Sequence, residues 1–189
     1  MLLFKNKELL KKASAWHDHG HENNPKVPRW EDTRSSSGFN FRMTELQAAV
    51  GIAQLKKLKK IVKLQRLNKK KIWDKIKKLD IVHRKIPKKN KDTCDALIFF
   101  TKSKKISLRC KKFLNKNGIY TKILPEALTW HFAKYWRHMP ELKKKHKNLS
   151  KSFLVSEKIL SRAVSIPISI KMKKNFPKLV YRSLLKALA

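Results

Sequence analysis

The chain has 189 residues, 41% of them hydrophobic, which is enough to bury a core and excludes a disordered segment, so a domain or a domain and a half is expected. Its formal net charge is +35, from 48 Lys and Arg against 13 Asp and Glu, but the cations are mostly Lys and spread over every segment. Sequence-specific readers of nucleic acid favour Arg and gather it on one face, so the composition argues against specific nucleic-acid recognition and suits lysines that solvate outward helix faces.

Asn6 can cap a short helix on which Leu9, Leu10, Ala13 and Trp16 form one apolar face. The polar, Pro-bearing stretch over residues 17–37 reads as a loop. Within it His17, His19 and His21 alternate, and an extended backbone would place the three imidazoles on one side, as in a metal site. A zinc site would need a further ligand or a supported open position, and only Asp18 and Glu22 are at hand, so no metal is assigned. The run Gly38-Phe39-Asn40-Phe41-Arg42-Met43-Thr44-Glu45-Leu46-Gln47 then joins a polar turn to a helix. Thr44 and Gln47 have capping-box spacing, which starts the helix at Thr44. Gly38 permits a strained turn before it, and the cap fixes where Asn40 and Arg42 point. Such a turn presents an amide and a guanidinium to an anion, or else satisfies neighbouring carbonyls.

From Thr44 a helical pattern runs to about Leu79, with Leu46, Val50, Ala53, Leu58, Ile61, Leu64, Ile72, Ile76 and Leu79 on its inner side. Strands are expected over residues 81–86, 96–100 and 119–124, with a helix over 105–117 that Gly118 can end. Helices over 126–138 and 149–161, a strand over 164–168 and a helix over 177–188 complete an α+β layer. His131 lies between Trp130 and Phe132, and a lone His among aromatics is more often a packed core group than a catalyst. No Gly-x-Ser-x-Gly elbow, P-loop or dinucleotide fingerprint occurs, which removes hydrolase and kinase readings. Cys94 and Cys110 form no Cys-x-x-Cys pair and read as buried free thiols. With no run of about 18 apolar residues and no long apolar leader, a cytoplasmic protein without a membrane span is expected.

The segment from Gly38 to Glu45 resembles the Gly-x-Asn-x-Arg-Met-Thr-Glu signature of the DegT/DnrJ/EryC1/StrS family, pyridoxal-phosphate-dependent sugar aminotransferases of the aspartate-aminotransferase fold. Trp16-His17-Asp18-His19-Gly20-His21 is similar to that family's His-Gly turn. Leu128-Thr129-Trp130-His131-Phe132 and Ser165-Ile166-Pro167-Ile168 fall where its substrate-loop histidine and late strand would be, so the resemblance covers nearly the whole chain. Residues 19–25, 95–100 and 130–139 look most like family members that make 8-amino-3,8-dideoxy-octulosonate, an amino sugar of lipopolysaccharide.

The resemblance implies a fold-type-I α/β architecture, truncated here: residues 1–79 as the end of the large cofactor-binding domain with its long linking helix, and residues 80–189 as a small α+β domain. It also implies an amino-acid donor such as glutamate, a keto-sugar acceptor and a homodimer. Asn40 and Arg42 would bind pyridoxal 5'-phosphate, Asn40 reaching the partner subunit's cofactor phosphate. His131 would line the sugar pocket, with His19 and Trp130 on its wall, although Lys134 and Arg137 alter the charge of that segment. Family members attach the cofactor through a lysine followed by Gly-Glu-Gly-Gly, whereas the glycines here are Gly20, Gly38, Gly51 and Gly118. The Schiff-base lysine is therefore not among these residues, and no catalytic residue is assigned. In the family the Gly-Gly pair directly precedes a short strand that Met1-Leu2-Leu3-Phe4 resembles, so the expectation is a chain that begins just past the catalytic lysine and needs a complementing N-terminal half. The alternative is a non-catalytic binding or assembly module that kept the dimer surface.

Overall fold

The computed structural model describes residues 2–87, 90–122, 124–146 and 148–189, the side chains of Trp130 and His131 apart. The chain divides into two compact units, Met1–Lys56 and Lys57–Ala189.

In the first unit, α1 spans Lys7–His17, and the Asn6 side chain caps it by accepting from the backbone N–H groups of Glu8 and Leu9 at 2.8 and 3.1 Å. Its expected apolar face forms but is not covered: Leu9, Leu10 and Trp16 are about half exposed and only Ala15 is buried. Residues 2–4 form no strand. The stretch expected as a loop carries one turn of 3-10 helix at Arg29–Glu31 and is pinned by two isolated bridges, Asp18 to Asn40 and His21 to Arg34.

Helix α2, Glu45–Ile76, begins in this unit and ends in the other. Both halves of the capping box form: Thr44 N–H donates to Gln47 Oε1 at 2.9 Å, and Gln47 N–H donates to Thr44 Oγ1 at 3.3 Å. The helix stops three residues before Leu79, because Leu79 N–H turns back to Ile76 O and tightens the last turn. Of its expected inner residues Ile72 and Ile76 are buried, Ile61, Leu64 and Leu79 are half-buried, and Leu46, Val50, Ala53 and Leu58 are exposed.

The second unit is built on a three-stranded antiparallel sheet, β1 (Val82–His83), β2 (Ala96–Phe100) and β3 (Ala163–Pro167), in the order β1-β2-β3. Val82 faces Phe100 across the first pair, and Ile98 faces Ser165 across the second. The two-residue period of β2 buries Leu97 and Phe99 and leaves their neighbours half-covered. Helices α3 (Lys104–Lys116) and α7 (Phe176–Leu188) close the core through Cys110, Leu114, Val180, Leu184 and Ala187. The Ser103 hydroxyl caps α3. Its far end is a Schellman turn, with Gly118 at φ 71°, Ile119 N–H donating to Leu114 O and Gly118 N–H to Asn115 O.

Three expectations fail here. Residues 119–124 are not a strand among those described: Leu124 N–H turns back to Lys122 O, although Lys122 N–H and Leu124 O both bond to the backbone of Ser165 in β3. The helix expected over 126–138 is only α4 (Leu128–His131) and a 3-10 turn at Ala133–Tyr135. Phe132 is extended between them, and its ring packs edge-on against Tyr135 and Phe153. The helix expected over 149–161 is a 3-10 turn at Leu149–Lys151 and then α6 (Leu154–Leu160), with Phe153 between them at φ 61°. Aromatic packing outweighs helix propensity at both breaks. A helix that periodicity missed, α5 (Pro140–Lys145), starts on a proline. Cys94 and Cys110 are buried free thiols, as expected. Among the described residues no helix is long and apolar enough to cross a membrane.

Candidate functional site

Two glycines bring the turn after α1 against the segment before α2. At Gly20, with φ 85°, an added Cβ would lie 1.9 Å from Ser36 O, and at Gly38 one would lie 2.5 Å from Gly20 N and 2.8 Å from Trp16 O. Only bare backbone fits at either place. The contact is sealed by main-chain hydrogen bonds, His19 N–H to Phe39 O at 3.2 Å, Phe39 N–H to Trp16 O at 2.9 Å and Phe41 N–H to His17 O at 3.0 Å. Asn40 is thereby held opposite Asp18.

Asp18 is the pivot and is 6% exposed. Its Oδ2 accepts from the Arg29 guanidinium at 2.5 Å, and its Oδ1 lies 3.3 Å from Arg42 Nε. The Arg29 hydrogen bond, with further attraction from Arg29, Arg42 and His21, holds the Asp18 carboxyl below the usual carboxylate range against the opposing effect of burial. Asn40 Oδ1 accepts from Arg42 N–H and Arg42 Nε, both at 3.2 Å. The amide oxygen is thus committed to Arg42. Asn40 Nδ2 has no partner among the described residues, and both side chains reach solvent. The arrangement leaves amide and guanidinium donors facing outward on a fixed backbone, a donor set for an anion.

Asp32 makes a second node. It accepts from Asn23 N–H at 2.8 Å, Asn24 N–H at 3.1 Å and His21 Nδ1 at 3.2 Å. The Asn24 and Asn23 backbone bonds and His21 hold its carboxyl below the ordinary range, against burial. Arg34 meets the other nitrogen of His21 at 3.2 Å. His21 is therefore a buried brace. The expected alternation of three imidazoles fails, since His19 (φ 53°) and Gly20 leave the extended region. Among the described residues no cluster of three His, Cys, Asp or Glu could hold a metal ion. His19 is exposed, its N–H spent on Phe39 O.

His131 and Trp130 lie on α4, and their side chains fall outside the described residues. Beyond them Lys134 donates to Glu157 at 2.5 Å and Tyr135 OH to the same carboxylate at 2.7 Å. Lys134 and Tyr135 hold Glu157 below its ordinary range, and Glu157 in turn raises the Tyr135 phenol. The charge of Lys134 is thus matched locally. Asp18, Arg29 and Asp32, which organise the turn, were not expected from the sequence; the available signal was a scarce carboxylate inside a Gly-bearing turn of a very basic chain.

The fold is that of solved sugar-modifying enzymes. It is similar to Helicobacter pylori PseC, an aminotransferase in pseudaminic acid biosynthesis, at TM-score 0.73 and 18% identity over 97% of this chain and 47% of that one. It is similar to the PLP-form of the sugar aminotransferase Spr1654 from Streptococcus pneumoniae at 0.73 and 13%, over 98% and 46%. It is also similar to E. coli GDP-4-keto-6-deoxy-D-mannose-3-dehydratase with bound hydrated PLP at 0.69 and 18%, over 99% and 49%. The chain spans about half the length of each. The model of the DegT/DnrJ/EryC1/StrS aminotransferase family matches residues 1–184, and the chain belongs to that family.

Proposed function

We propose that the chain contributes the Asn40 turn and a small α+β domain to a pyridoxal-phosphate-dependent sugar aminotransferase, which moves an amino group from an amino acid such as glutamate to a keto sugar. The observation that carries this reading is the Asp18–Arg42–Asn40 arrangement. It fixes an amide N–H donor and a guanidinium toward solvent on a backbone that two glycines lock. These donors fit a phosphate dianion. The cofactor, when bound, supplies the electron sink for amino-group exchange. Asn40 would donate Nδ2 to its phosphate across a homodimer interface. Arg42, aimed by Asp18 and by Asn40 Oδ1, would keep that amide turned outward. Residues 1–79 would serve the cofactor-binding side and residues 80–189 the small domain. His131, with Trp130 and His19 on the wall, would face the sugar, for which 8-keto-octulosonate is the proposed member.

The test is cofactor retention in the complete enzyme. Asn40→Ala should weaken retention by about ten- to a hundredfold, the equivalent of a hydrogen bond to a charged group at roughly 1.5–3 kcal/mol. Helix α2 should keep its stability, because Thr44 and Gln47 cap it without residue 40. Unchanged cofactor affinity in Asn40→Ala would remove Asn40 from the phosphate site.

A further inference from the structure

In the second unit a cleft of about 520 Å³ opens between the end of α3, the segment after β3 and the start of α7. Its walls are Ile119, Ile168, Met172, Phe176 and Leu179. Ile119 and Ile168 belong to the buried core, and the other three pack against that core. The charged members of the lining are Lys171 and Lys173, both exposed, beside the exposed neutral polar side chains of Asn117, Tyr120 and Ser169. Neither lysine is in an ion pair among the described residues. No Asp or Glu follows Glu157 in the sequence. None of these residues belongs to the Asn40 turn.

The volume is that of a small-molecule site, and its chemistry is two-sided. A sugar or a free amino acid would press polar groups against five apolar walls that return no hydrogen bonds, and the neutral polar groups at the rim are engaged within the fold: Asn117 Nδ2 donates to Phe113 O and Ser183 Oγ, and Ser169 Oγ accepts from Lys171 N–H. A neutral hydrocarbon would leave two cations unused. We infer that the cleft binds a small amphipathic carboxylate, an acyl chain of medium length lying against Ile168 and Phe176 with its carboxylate between Lys171 and Lys173. The binding is independent of the proposed transamination, and its test involves no cofactor.

The four methionines offer the probe. In the full chain labelled with ¹³C at the Met methyls, octanoate should shift the Met172 signal saturably and leave those of Met43 and Met139 in place, with Met172→Leu confirming the assignment. The double variant Lys171→Gln with Lys173→Gln, both on exposed positions, should weaken octanoate binding about three- to tenfold, the scale of two exposed ion pairs. It should leave 1-octanol binding unchanged. The inference fails if octanoate does not move Met172 up to its solubility limit, or if octylammonium binds as well as octanoate. A parallel shift of Met43 and Met139 would reduce the effect to general surfactant action and sink the site. Equal octanoate affinity in the double variant would remove the carboxylate from the lysines.

Discussion

Asp18 holds two guanidinium groups with one buried carboxylate, and the position of Arg42 depends on that charge. The depressed carboxyl contributes stability that is fully present above the ordinary carboxylate value and is lost as pH falls through the lower folded value. Asp18→Asn should therefore destabilise the first unit at neutral pH by about 1.5–3 kcal/mol, the scale of hydrogen bonds to a charged group. The gap between the variant and the parent should close under acid, since the parent carboxylate is then protonated as well. Urea denaturation at neutral and at acid pH reads this directly; a gap that stayed constant across that range would show that the Asp18 charge does not brace the turn. The thiols behave in the opposite sense. Burial raises both, Cys110 to about 11, so thiol reagents at mildly alkaline pH should label neither until the chain unfolds.

At the level of elements, glycines with opposite roles separate the turn from the helix. Gly38 faces backbone atoms of Gly20, Trp16 and Ala15 within 2.9 Å of an added Cβ, and backbone cannot move aside as a side-chain tip can. Gly38→Ala should cost about 2 kcal/mol or more. Gly51, inside α2, has nothing within 4 Å, so Gly51→Ala should stabilise by about 0.5–1 kcal/mol. Thermal melts of the two variants should move in opposite directions; a tolerated alanine at Gly38 would contradict the backbone contact on which the site is built. The elements differ in how far the sequence revealed them. The caps of α1 and α2 depend on residues within one turn, and β2 on a period of two, so spacing alone located them. The breaks at Phe132 and Phe153 were illegible, because each exists to place a ring against aromatics distant in sequence. The Asn40 turn was legible as a donor pair. Its anchor on Asp18 was not, since that requires two segments joined by glycine contacts that spacing does not encode.

For the whole molecule, fold alone leaves the reaction open, since one solved relative of the same fold is named as a dehydratase. Surface physics adds a separate constraint. Leu46 is 76% exposed and Met43 just before the helix 72%, and Val50 and Leu58, on the i+4 row through Leu46, are about half exposed, so the first turns of α2 carry an apolar stripe open to water. Each such side chain left uncovered forgoes roughly 1.5–3 kcal/mol of burial, a cost that a +35 surface does not remove, because charge repels copies without hydrating a stripe. Patches of this kind mark interaction surfaces. The proposed homodimer gives this stripe a second copy to meet, and screening of the lysines should aid the meeting. The full chain should therefore self-associate at micromolar concentration, more strongly as salt rises and repulsion is screened. Leu46→Glu with Val50→Glu should weaken that association at least tenfold while helical circular dichroism stays constant, since both positions are exposed and neither supports the core. Sedimentation equilibrium decides the matter. A monomer at every salt concentration, or a double variant that associates as well as the parent, would leave the stripe without a partner copy.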